Sequence, residues 1–148
     1  LLTNDSSLTR QVIETSDAPE PFGWEPQAVK VGDLLHFSTQ RAVDSNGVLS
    51  KTARAPEGFD RYVDAGWLQM HEILGNISAI AEAGGTSLEN VCRIKVFMDD
   101  WAVMPGVCRA LADAFPKDPP AVSLHRVNGR PMLAPGVHVA CDVIAYAP

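Results

Sequence analysis

Four histidines and three cysteines, with a scatter of carboxylates, are the groups in this 148-residue chain able to move protons or attack an electrophile. His36, His71, His125 and His138 form no HxH or HxxxH pair, and Cys92, Cys108 and Cys141 form no CxxC. Neither spacing points to a metal site. An odd cysteine count without such a motif fits reduced thiols in a cytosolic protein better than a disulfide framework. Cys108 reads as a small buried hydrophobe rather than a nucleophile, because no base stands beside it. His36 and His125 alternate with apolar neighbours and take no role, and Trp67, Met70 and His71 read as packing or helix surface.

Charge narrows the partners. The formal net charge is −6 with no cluster of Lys or Arg, whereas nucleic-acid binding needs a basic footprint to neutralise phosphates. Nucleic-acid and membrane-surface roles are disfavoured on that ground. The hydrophobic fraction of 46% and charged fraction of 20% are ordinary for a globular domain. Apolar runs are far shorter than the roughly 20 residues that cross a bilayer. Leu1–Thr9 is a polar tail with neither the basic start nor the apolar run of a signal peptide, which favours a cytoplasmic protein. Residues 10–148 form one domain by length and contain no internal repeat.

These groups must be held by elements. Arg10–Glu14 is a short candidate strand, and the three prolines between Ala18 and Gln27 force an extended loop. Ala28–Lys30 resumes as strand, Val31-Gly-Asp turns, and Leu34–Gln40 follows with Leu35 and Phe37 on one face and His36, Ser38 and Gln40 on the other. From about Phe59 the period turns helical through Val63, Trp67, Met70, Leu74, Ile77 and Ile80, and Gly84-Gly85 stops it. Val91–Met98 alternates as a strand with Cys92, Ile94, Val96 and Met98 in phase. Pro105 opens a second helix faced by Val107, Leu111, Ala114 and Phe115. Lys117-Asp-Pro-Pro ends it, Ala121–Val127 is a strand, Asn128-Gly-Arg-Pro a loop, and Gly136–Tyr146 a last strand. The order β-β-β-α-β-α-β-β predicts an α+β layer, two helices on one face of a mostly antiparallel sheet.

Over Arg10–Pro148 the chain resembles the Rid/YjgF family of reactive intermediate deaminases, also called endoribonuclease L-PSP. The resemblance rests on the order and spacing of several stretches: Ala18-Pro…Gly23…Gln27-Ala-Val, Phe37-Ser-Thr-Gln40, Leu74-Gly-Asn76-Ile, Ala83-Gly-Gly-Thr-Ser87, Val96-Phe-Met-Asp-Asp100, Ala114-Phe-Pro-Lys-Asp-Pro-Pro-Ala121 and Asp142-Val-Ile-Ala-Tyr146. It implies a chorismate-mutase-like fold, a six-stranded sheet with two helices, and a homotrimeric barrel with pockets between subunits. A partner would then cover apolar residues such as Val122 and Leu124 on the sheet face opposite the helices. It implies hydrolytic deamination of an imine or enamine small molecule with no cofactor.

The family's pocket residues do not carry over. Its carboxylate-binding Arg falls on Val122, its last-strand Glu on Ala140, its loop Tyr on Glu25, its second-helix Asn on Cys108, and its Ser-Gly-Gln on Ser38-Thr39-Gln40. Val122, Ala140, Cys108, Ser38 and Thr39 are therefore expected to line a rebuilt pocket. Glu25 could supply a carboxylate that activates water, and His138, two residues or about 7 Å from Ala140, an acid or base. Arg126, about 13 Å along the strand from Val122, could bind a distal carboxylate. Each has a plainer role: Arg126 paired with Asp142 or solvent, His138 at a strand end, Glu25 on a solvated loop. Arg130 could gate the pocket mouth. A hydratase, lyase or tautomerase, or a trimeric binding protein without turnover, are the alternatives to deamination.

Overall fold

The computed structural model describes residues 9–56, 64–128 and 134–148. The sheet contains β1 (Arg10–Ile13), β2 (Ala28–Val31), β3 (Leu34–Phe37), β4 (Gln40–Arg41), β5 (Val91–Met98), β6 (Ala121–Arg126) and β7 (Val139–Tyr146), with helices α1 (Ala65–Ala83) and α2 (Met104–Ala114). Six strands run in the order β1-β2-β3-β7-β5-β6, and the seventh, β4, pairs with β7 off that path. All pairs are antiparallel except β5–β6, whose parallel register is bridged by α2.

The helix-bearing face holds the core. Leu35, Ile94, Val96, Met98, Val139, Cys141, Val143 and Ala145 are buried there with Met70, Ile73, Ile77 and Ile80 of α1. Helix α1 is capped by the Asp64 carboxylate, which accepts from Trp67 N at 3.0 Å. The expected first turn through Phe59 and Val63 lies outside the described residues, as do most of the Leu1–Thr9 tail and Arg130. Helix α2 lies close against the start of α1: a Cβ at Gly66 would strike the Val103 carbonyl, and one at Gly106 would strike the Asp64 carboxylate. No described helix is long and apolar enough to cross a membrane.

Two register shifts correct the alternation read from sequence. In β5 the shift between Val91 and Arg93 puts Val91 in the core and leaves Cys92 exposed. In the β3–β4 stretch His36 pairs with Ile144 but Gln40 pairs with Cys141, so this side carries one extra residue. The expected single strand Leu34–Gln40 is thereby broken, Gln40 turns to the helix side, and Thr39 and Arg41 turn to the open face.

A third correction concerns the open face. Val122 and Leu124 pair with the core residues Ile94 and Val96 and so share the helix side, where Leu124 packs on the core. The apolar side chains left exposed on the open face are Val12, Val31, Leu34 and Tyr146.

Candidate active site

The loop between β1 and β2 is anchored from inside. Gln27, 2% exposed, accepts from Thr15 N at 2.6 Å, and its amide nitrogen points at the carbonyls of Thr15, Ala18 and Pro19 at 3.0, 3.1 and 3.0 Å. A proline-rich loop lacks ladder partners for its carbonyls, and one buried amide supplies them. The loop's far end is tied to the sheet by Ser38, whose hydroxyl donates to Pro26 O at 2.6 Å and whose N–H donates to Gln27 O at 3.0 Å.

Glu25 projects from this anchored loop and is exposed. With Glu20, Ser38, Thr39, Gln40 and Arg41 it lines a cleft between the loop and the β3–β4 stretch. Among the described residues the Glu25 carboxylate makes neither an ion pair nor a hydrogen bond. Ser38 and Thr39 line the same cleft with their hydroxyls engaged, Ser38 as above and Thr39 donating to Asp142 Oδ1 at 2.6 Å. The alternative Arg126–Asp142 pair is absent among the described residues, since the two side chains lie on opposite faces of the sheet.

On the open face beside the cleft, Ala140 is 3% exposed and packs with Val137 against Val43, Leu49 and Phe97. Phe97 in turn stacks on His125 at 5.4 Å between ring centroids. His138 lies two residues before Ala140. Its Nδ1 sits 2.9 Å from Asp99 Oδ2 and 3.1 Å from Oδ1. A carboxylate there favours the tautomer with the proton on Nδ1 and leaves Nε2 as the free acceptor. The backbone is held as well: His138 N donates to the buried Gln69 side chain at 2.8 Å, and Gln69 donates to Gly136 O at 2.7 Å.

The remaining expected site residues lie elsewhere. Val122, 39% exposed, and Arg126 share the helix side of edge strand β6, and Cys108 is exposed on α2. One chain thus places Glu25, Ser38 and Thr39 around one cleft, His138 on Asp99, Val122 and Arg126 on the helix side of β6, and Cys108 on the surface of α2. Three residues escaped the sequence reading. Asp99 and Gln69 orient His138 from separate elements, and Arg41 was on no expected face because of the extra residue in β3–β4. Among the described residues no three His, Cys, Asp or Glu side chains come together as metal donors.

A family model described as Endoribonuclease L-PSP matches residues 15–147. A RutC family protein of Pyrococcus horikoshii is 30% identical over 93% of this chain and 98% of its own length. A 2-iminobutanoate/2-iminopropanoate deaminase of Dermatophagoides farinae is 23% identical over 77% of this chain and 80% of its own length. The crystal structure of RidA from a Psychrobacter species superposes with a TM-score of 0.72 at 29% identity, covering 92% of this chain and 98% of that one.

Proposed function

The chain belongs to the endoribonuclease L-PSP family, known also as Rid or YjgF, and on that premise we propose that it hydrolyses a small reactive imine or enamine acid to a keto acid and ammonia. The observation that carries the reading is Glu25, an uncommitted carboxylate on an anchored loop at the edge of a cleft. A water held by Glu25 loses a proton to the carboxylate as its oxygen bonds to the imine carbon, and the C=N π pair moves to nitrogen. Glu25 returns that proton to the nitrogen of the tetrahedral intermediate. The C–N bond then breaks as Glu25 carries the hydroxyl proton to the departing nitrogen, so that the carbonyl forms and ammonia leaves. An enamine first takes a proton on its β carbon, a step that His138 serves in its doubly protonated form, with Nδ1–H on Asp99 and the transferred proton coming from Nε2.

The complete pocket is formed between copies. Val122, Arg126 and Cys108 lie off the cleft that Glu25 lines within one chain, and a neighbouring copy would bring them to it. Support for a homotrimer comes from Val12, Val31, Leu34 and Tyr146, an exposed apolar stripe on the uncovered face of a sheet. The net charge of −6 speaks against RNA as the substrate despite the family's name.

The test is ammonia release from 2-aminoacrylate generated in situ by a serine dehydratase. Acceleration well beyond the spontaneous rate is expected with the purified protein and is expected to vanish in Glu25→Gln. No acceleration by the wild type rejects the reaction.

A further inference from the structure

We propose that Arg41 is the group that binds the substrate's carboxylate in this chain, a role that rests on the imine-acid reading above. Strand β4 pairs Arg41 with Ala140, on the open face between Thr39 and Val43. Arg41 lines the same cleft as Glu25. Its Nε is buried and has no hydrogen-bond partner among the described residues. The ion pairs among those residues are Arg109–Asp64 and His138–Asp99, so the guanidinium has no carboxylate there either.

The surroundings explain why. Ala140 offers no acceptor, the Val137–Ala140 cluster is apolar, and Asp142 on that face already accepts from Thr39. A guanidinium is always charged and presents N–H donors in a planar fork that fits a carboxylate. A guanidinium without a carboxylate partner among the described residues gains charge-assisted hydrogen bonds when a ligand supplies two oxygens.

The cleft also carries Glu20 and Glu25, so a plain anion meets repulsion on one side and attraction on the other. A molecule with a carboxylate at one end and a protonated imine at the other matches both signs: the carboxylate on Arg41, the iminium carbon toward Glu25. That restricts the substrate class to short 2-imino acids, whose two groups are on adjacent carbons. Arg126, on the helix side of the edge strand, then serves neither group within the same chain.

Binding is measured by calorimetry with 2-oxobutanoate, the hydrolysis product of 2-iminobutanoate, and with its neutral amide, on wild type, Arg41→Met and Arg41→Lys. Expected are binding of the acid by wild type, a loss of roughly 10- to 100-fold in Arg41→Met, an intermediate value in Arg41→Lys, and equal affinity of all three for the amide. No binding of the acid by wild type overturns the assignment, as does equal affinity in Arg41→Met. If Arg41→Met does not fold, as judged by its melting transition, the lysine variant decides: unchanged affinity there for both ligands overturns the assignment. Ammonia release is read separately. Carboxylate binding that depends on Arg41 without any imine turnover by wild type removes the reaction and keeps the binding residue. Turnover with an unchanged KM in Arg41→Met removes the binding residue and keeps the reaction.

Discussion

The Glu25 side chain is exposed and its carboxylate is bonded to nothing among the described residues, so Glu25→Gln removes a base with little effect on packing. The variant is expected to lose about 100-fold or more in kcat while its melting temperature holds; a variant as active as wild type would move the base elsewhere. Asp99→Asn tests the other proton carrier, because it removes the carboxylate whose two oxygens hold His138 Nδ1. Its effect is expected as a fall in the rate of enamine turnover, with imine turnover little changed. Cys141 is a different kind of residue. Burial first, and the neighbouring Asp142 second, push its thiol far above the ordinary range. Alkylation followed by mass spectrometry at about pH 8.5, where a free thiol is half ionised, should spare Cys141 until the protein is denatured.

At the scale of elements, the loop that presents Glu25 depends on a single buried amide. Gln27→Met leaves the N–H of Thr15 and three loop carbonyls without their partner. The expected cost is about 1–3 kcal/mol of stability, read by urea denaturation, together with a fall in kcat as Glu25 loses its position. The α1–α2 contact makes a sharper prediction. Gly66→Ala drives a methyl into the Val103 backbone, which cannot rotate away, and should destabilise by roughly 1–3 kcal/mol. These elements were legible from apolar period, prolines and glycine stops. What was not legible was a one-residue shift inside a strand. Strict alternation through Leu34–Gln40 assigns Gln40 to the face of His36, yet the pairing of Gln40 with Cys141 reverses that, and Arg41 becomes a cleft residue.

At the scale of the whole molecule, the exposed apolar stripe on the open sheet face carries the proposal of a trimer, and its mass tests it. Light scattering is expected to give three times the chain mass of 15.9 kDa. Leu34→Lys, at the middle of the exposed stripe, should shift that mass toward the single chain and abolish turnover at the same time. Mixed oligomers of Glu25→Gln and Cys108→Trp chains should regain part of the activity that each homogeneous oligomer lacks, since each supplies an intact half of the pocket. Failure of every mixture to recover activity would place the whole site within one chain.

The order of elements, the α+β layer and the family were settled by the sequence alone, because apolar period, turn chemistry and motif spacing are local properties of the chain. The replacement of the family's Arg by Val122 and of its Glu by Ala140 is an expectation of that same sequence reading. The tertiary structure decided which side chains face one another. Pairing across β7 put Arg41 beside Ala140, the β5–β6 register put Val122 on the helix side, and the contact between Asp99 and His138 joined residues 39 positions apart. A strand side chain's face is set by its hydrogen-bonded register with another strand, and one added residue inverts it without changing any local pattern.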